Sequence, residues 1–419
     1  MIEEKNVHLT KSKHIGLIIA GFLTLVIGLS TVIVLYAFGF LTSSSGYVSL
    51  VPNGDETVNY VDGVSASVFL EGTDMSVRQE TTRANNTLTN ALKKAYKVSD
   101  PTSRYDDTYS ISYLNDSIGT DVEVGEDVYS ILKDAYDATL SGSNYSVFAG
   151  PIEAIWQLEI NAHIRPPVEE IDPLVDGSMA ALLQELSAYI SSQDHVRLTF
   201  KPGNVVRLDV SEEYRAYRIA NGITDPIVSL NALRNAYEVK AVAAALEAEG
   251  FHDGYVTSDR GYGIALSGTP GLSHLINTPA YADYPYAGSV KVGGGHCFAK
   301  MHRYAYGGAT MGRYYTLEHE GTTYYRSLYA DLSDGMSNDT LLASYLFREG
   351  DDIMSLALEA EKSSTVHSLD GLRAYAAGLD EKTHYAFVLK DEQSSVYADS
   401  PWSEAISIRD PQQISLKTL

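Results

Sequence analysis

Few residues in this chain have the type and spacing to do chemistry. Gly293-Gly294-Gly295-His296-Cys297 sets the one cysteine of the sequence beside an imidazole, the pairing that an activated thiolate uses. Neighbouring residues of a strand face opposite ways, so this pair cannot cooperate if the segment is extended. His319-Glu320 sits at an expected turn and lacks the second histidine of a zinc-binding His-Glu-x-x-His helix. Gly261 and Gly263 open like a dinucleotide fingerprint, but the third glycine would fall at Leu266, and no helix is expected to follow. No Gly-Lys-Ser/Thr closes a glycine-rich loop, and no Gly-x-Ser-x-Gly elbow occurs.

The elements that could position such residues read as a mixture. Ser76–Tyr96, Glu126–Thr139, Ser178–Ile190, Ser229–Gly250, Asp351–Glu361 and Ser368–Ala377 have helical character. Ser178 and Ser229 are the expected N-caps of their helices, and Gly250 the expected stop of the longest of them. Val196–Phe200 and Val205–Val210 alternate around Pro202-Gly203 as a hairpin, and Tyr314–Tyr329 as another turning at Glu320-Gly321. Tyr255–Leu266 and Tyr385–Leu389 read as strands. Without strict strand–helix alternation the class is α+β.

From Ile15 to Leu41 the chain runs without a charged side chain. As a helix this run would span roughly 40 Å, longer than the roughly 30 Å hydrocarbon core. Lys5, Lys11 and Lys13 precede it, while 42–62 holds no Lys or Arg. The positive-inside rule then puts 1–14 in the cytosol and the bulk outside. A cleaved signal peptide is the rival reading, but its apolar stretch is usually about 7–15 residues. The expected organisation is a cytoplasmic tail 1–14, a transmembrane signal-anchor 15–41, an extracytoplasmic linker 42–62 and a domain 63–419. A net charge of −23 repels phosphate backbones, which excludes nucleic acid as a natural partner. A single cysteine rules out an internal disulfide, and thirty tyrosines suit strand surfaces.

Gly307-Gly308-Ala309-Thr310 is similar to the Ser/Gly-Gly-Ala-Thr core at which FMN is esterified to threonine in flavinylated proteins. The order of segments explains it better. Ser110-Ile111-Ser112-Tyr113-Leu114-Asn115, Asn144-Tyr145-Ser146-Val147-Phe148-Ala149-Gly150-Pro151 with Trp156, Ala309-Thr310-Met311-Gly312 and Asp352-Ile353-Met354-Ser355-Leu356-Ala357-Leu358 occur in sequence. In this order they resemble the motifs of the FAD:protein FMN transferase (ApbE) family, over nearly the whole of 63–419. The resemblance implies an ApbE-like fold of mixed sheets flanked by helices, behind one N-terminal transmembrane helix. It implies FAD and Mg²⁺ as cofactors and a partner protein outside the cell. It places flavin contacts at Tyr145, Asn231, Ala232 and Thr310, metal ligands at Asp352 and Asp331, and candidate catalytic groups at Asp331 and Arg234.

The departures from the family bear directly on activity. Its Asp-Leu-Gly-Gly-Ile-Ala-Lys-Gly-Tyr becomes Ser229-Leu230-Asn231-Ala232-Leu233-Arg234-Asn235-Ala236-Tyr237. Glycines at such a turn let main chain approach a pyrophosphate, and here Asn231 and Ala232 add side chains. The family's Val-Asn-x-Gly-Gly loop becomes Val256-Thr257-Ser258-Asp259-Arg260. Its His-x-x-Asp-Pro-x-Thr-Gly becomes Leu328-Tyr329-Ala330-Asp331-Leu332-Ser333-Asp334-Gly335, without the histidine and the proline. Leu356 replaces the threonine of the metal motif and Ser146 an aspartate. The expected function is a membrane-anchored, catalytically degenerate relative that binds a flavin or a partner. The alternatives are an active Mg-dependent transferase that flavinylates threonine on a partner, with substitutes such as Arg234, and a surface binding module without flavin.

Overall fold

The computed structural model describes residues 45–54, 63–72, 76–164, 170–279, 286–304, 313–391, 395–410 and 414–419. The apolar run 15–41 lies outside them. Among the described residues no helix is long and apolar enough to cross a membrane.

The central sheet holds β1 (Gly46–Leu50), β2 (Ser65–Leu70), β3 (Gly254–Thr257), β4 (Tyr262–Ala265), β5 (His296–His302), β6 (Leu341–Glu349), β7 (Thr383–Leu389), β8 (Val396–Ala398) and β9 (Leu416–Thr418). Their order across the sheet is their order in the chain. Neighbours are antiparallel throughout except β8 with β9. Among the helices are α1 (Val77–Ser99), α2 (Glu126–Leu140), α3 (Gly150–Ile164), α4 (Gly177–Ser191), α5 (Ala232–Ala248), α6 (Ile353–Glu361) and α7 (Leu369–Ala377).

Alternation along β5 builds two cores. Cys297, Ala299 and Met301 join the large core beneath α1, α5 and α6. Phe298 joins a smaller core against Ile276, Ala287 and Val290, on the strands Leu272–Asn277 and Tyr286–Val292. The mixture of helices with an antiparallel meander is the expected α+β class. His296 and Cys297 fall on opposite faces, and burial pushes the thiol of Cys297 up to about 12, far from a thiolate at neutral pH.

Several expectations differ, the first being Tyr255–Leu266, read as one strand, which turns at 258–261 and folds as the antiparallel pair β3 and β4. The stretch 42–62 is not all linker, because Val48 and Leu50 alternate inward against outward Tyr47 and Ser49 as β1 pairs with β2. Helix α4 is capped by Asp176, whose carboxylate accepts the Ser178 N–H, rather than by Ser178. Helix α5 begins at Ala232, not at Ser229. The two hairpins form as read, and Glu320 (φ 50°) with Gly321 (φ 76°) supplies the paired positive φ of a tight hairpin turn.

Candidate functional site

Asn231 stands at φ 50°, ψ −127°, a backbone region that glycine enters freely and L-residues seldom do. The turn 230–233 is closed by the Leu233 N–H donating to Leu230 O at 3.0 Å. Tyr145 Oη donates to the same carbonyl at 3.0 Å. The main chain therefore keeps the shape a glycine would take, with an asparagine in it. Its amide folds back and donates to Ser146 O at 2.8 Å. The next N–H of α5, that of Arg234, donates to Asn231 O. An anion at this helix start would need these donors free.

One void at the turn measures about 30 Å³, and its lining includes Glu153 and Glu361; a second, of about 220 Å³, is lined by Gly150, Glu153, Ser229, Asn231 and Arg260. Glu361 is buried and takes a hydrogen bond from Tyr262 Oη at 2.8 Å. Burial pushes its carboxyl up to about 7; the charge of Glu153 adds to this, and Tyr262, Arg260 and Arg303 oppose it. Glu153 is paired with Arg260 at 3.4 Å.

Beside the smaller void opens a cavity of about 400 Å³ between the end of α2, the loop 142–148, the end of α4 and residues 331–333. Asn144 holds its inner wall. The amide donates to Ala330 O and Glu361 O, and its carbonyl accepts from the Leu332 N–H. Asp331 faces the cavity, accepting from the Ser333 N–H at 2.9 Å and lying 2.9 Å from His367 Nε2. Burial works against its ionisation, but the bonds from His367 and Ser333 outweigh burial and leave its pKa below the usual value.

Solved structures share this architecture. The crystal structure of the ApbE protein from Thermotoga maritima matches with a TM-score of 0.58 at 13% identity, over 86% of this chain and 99% of that one. The flavin transferase ApbE from Vibrio cholerae matches at 0.55 and 14% identity, over 86% and 99%. The flavinyl transferase ApbE of Pseudomonas stutzeri, in its apo form, matches at 0.54 and 13%, over 86% and 96%. The chain has the ApbE fold. No protein-family model and no curated protein matches its sequence.

Within the ApbE fold the expected site residues separate. Tyr145, Asn231 and Ala232 line one void, and Tyr145 and Asp331 share the adjoining cavity. Arg234 does not turn toward them. Its Nε lies 3.2 Å from Glu238 on its own helix, and its guanidinium sits 4.3 Å over the Tyr96 ring of α1. Asp352 caps the start of α6 and pairs with Arg348 at 3.5 Å. Asp331 lies by the other end, because Asn144 bridges its neighbour Ala330 to Glu361. The nine residues of α6, at about 1.5 Å each, hold the two carboxylates roughly 13 Å apart. They cannot ligate one ion, and among the described residues no cluster of three or more His, Cys, Asp or Glu could hold a metal. Thr310 lies outside the described residues.

The donor set thus fits neither a pyrophosphate at the 231 turn nor a divalent ion shared by Asp331 and Asp352. Sequence reading missed Glu153, Glu361 and His367. None lies in a motif. His367 follows Asp331 by 36 residues, a separation that no local pattern signals.

Proposed function

We propose that this chain is a membrane-tethered, extracytoplasmic protein of the ApbE fold that binds a flavin or a protein partner and does not transfer FMN. The observation that carries this reading is the turn's own hydrogen bonding: the Asn231 amide is engaged by Ser146 O, and the Leu233 and Arg234 N–H groups by Leu230 O and Asn231 O. Phosphoryl transfer depends on positioning phosphates and neutralising their developing charge. At the turn the Arg260 charge is taken up by Glu153, and Glu361 holds a proton below about pH 7, so neither supplies that neutralisation. The flavin transfer carried out by proteins of similar fold supports a flavin as the ligand class, and the uncharged run 15–41 supports tethering.

One observation favours the second reading, an active transferase. The family's histidine is absent at Leu328, yet His367 brings an imidazole to Asp331 from another segment. A single assay separates the two. The full chain in detergent is incubated with FAD, Mg²⁺ and a flavin-acceptor domain, and the acceptor is weighed by mass spectrometry. The expected result is no change in mass. A gain of one FMN overturns the proposal.

A further inference from the structure

We infer that the outward face of α1, with Tyr47 beside it, lies against the bilayer and binds anionic phospholipid headgroups. This rests on the tethering proposed above and adds the surface that meets the membrane. Only residues 42–45 separate the end of the apolar run at Leu41 from β1. At about 3.4 Å each they reach no more than roughly 14 Å. The hydrocarbon core takes about 20 residues of the run. That leaves about seven to rise above it, roughly 10 Å as helix. The start of β1 is thus held within roughly 25 Å of the hydrocarbon edge, of which headgroups fill about 5–8 Å. The corner of the domain that contains β1 cannot swing away from the membrane.

Helix α1 shares that corner. Gly46 pairs with Leu70, and two residues on the Gly72 N–H donates to Glu80 of α1 at 3.0 Å. Past the other end of β1 the Val51 N–H donates to Asn85 Oδ1 at 3.2 Å. The strand therefore runs alongside the first half of the helix. The exposed residues of α1 are Arg78, Arg83 and Lys94 with the neutral Gln79, Thr82, Asn86 and Asn90. The one acid of α1, Glu80, is buried. The whole chain has 54 acidic against 31 basic residues, so most of its surface is repelled by an anionic bilayer, and the charges that count are those within about 8 Å of it. A helix face without carboxylates is the one that can approach. Asp127, which pairs with Lys94 at 2.7 Å, and Glu249, at the margin, are the acids beside it. Arg83 lies over the Phe251 ring, 4.7 Å from its centroid, which keeps the edge of its guanidinium for a phosphate. A groove of about 510 Å³ runs along this face, and its remaining lining is amides and hydroxyls that donate to phosphate oxygens. Thr82, Asn86 and Asn90 are poor helix formers at exposed positions where packing does not choose the residue, which fits a face kept for contact. Tyr47, 53% exposed, sets its ring against Phe69 and its hydroxyl on Asp253, the apolar body and polar tip that suit the headgroup layer.

Lipid-headgroup quenching tests this on the full chain in vesicles. Asn90→Cys reports the α1 face. Glu404→Cys reports the far edge of the sheet, on the short helix Ser400–Ala405 that packs on β9, eight strand spacings or roughly 38 Å away. Cys297 is buried and stays unlabelled by an impermeant thiol dye. The vesicles are phosphatidylcholine alone, or with one quarter phosphatidylglycerol, and carry a headgroup nitroxide. In the mixed vesicles quenching at 90 is expected to exceed that at 404 at least threefold. It is expected to fall at least twofold in phosphatidylcholine alone, and in a Gln79→Glu, Thr82→Glu variant that adds two carboxylates at exposed positions, with circular dichroism confirming the fold. Equal quenching at the two positions overturns the inference, as does quenching at 90 that ignores both lipid charge and the added carboxylates. Shielding of 90 from aqueous iodide without lipid quenching marks a protein on this face and overturns it too. Failure of the tethering shows separately, as release of the chain from the vesicles by alkaline carbonate.

Discussion

Asn231 keeps a glycine's backbone, and its own side chain offsets part of what that conformation costs. An L-residue held in such a region costs about 1–3 kcal/mol, and the hydrogen bond to Ser146 O contributes about 1 kcal/mol in return. Asn231→Gly removes both the strain and the bond, so stability should change by less than about 1 kcal/mol. Asn231→Ala keeps the strain and loses the bond, so it should destabilise by about 1–2 kcal/mol. Urea unfolding of the two variants checks this. A glycine variant less stable than the alanine variant would show that the turn is not held as described. Neither substitution removes Glu153 or Glu361 from the void, so Asn231→Gly alone is not expected to create FMN transfer.

The elements show what could be read in advance and what could not. The Glu320-Gly321 hairpin and the Ser76 helix start were legible because local chemistry specifies them: paired positive φ in one, a Ser76–Gln79 capping box in the other. The α+β class followed from the same local patterns. The order of the nine-stranded sheet was not legible, because β2 pairs with β3 across more than 180 residues. Tyr145, Asn231, Ala232 and Asp331 were found through motif resemblance, which sees contiguous residues. Glu361 and His367 reach the site through tertiary packing and carry no such mark. Strand β1 was missed because its serine and glycine content imitates a linker. It forms the edge of the sheet, covering the hydrogen-bonding groups of β2, and Tyr47 Oη donates to Asp253 at 2.7 Å. A soluble version beginning at residue 63 should therefore lower the melting temperature and aggregate more than one beginning at residue 45, because β2 becomes an open edge. Light scattering during thermal unfolding compares them. Identical curves would mean that β1 is dispensable.

At the scale of the whole molecule, buried ionisable groups set opposing limits on pH. Burial pushes Glu159 from 4.5 to about 8 with the charge of Asp172 adding to it, and both Glu159 oxygens are enclosed without a hydrogen-bond partner. Glu361 rises to about 7 from the same first cause. These carboxyls hold protons when folded that they release when unfolded, so their contribution is complete below about 4.5 and is lost as pH rises through 7 to 8. Burial has the opposite consequence for histidine. It lowers His274 to about 2 and His302 to about 3, and lowers His296 as well, with the nearby Lys300 charge adding to each. Here the unfolded chain binds the extra protons, so stability is present above about 6.5 and is lost on acidification below it. The two groups oppose each other between about 4.5 and 6.5, where three histidines outweigh two carboxyls. Above about 6.5 the carboxyls dominate, opposed toward pH 8 by Lys300, which burial lowers to about 8. The melting temperature should therefore peak between about pH 6 and 7 and fall on both sides. A tenfold difference in proton affinity between the folded and unfolded chain is worth about 1.4 kcal/mol, so the net alkaline decline to pH 8, with the histidines and Lys300 opposing the carboxyls, should amount to about 1 kcal/mol. Replacing Glu159 and Glu361 together by glutamine should flatten that decline and leave the acid limb in place. Thermal scans by circular dichroism at about pH 5.5, 6.5 and 8 suffice. A melting temperature that climbs steadily from about 6.5 to 8 in the unaltered protein would mean that the two carboxyls are not held protonated inside it.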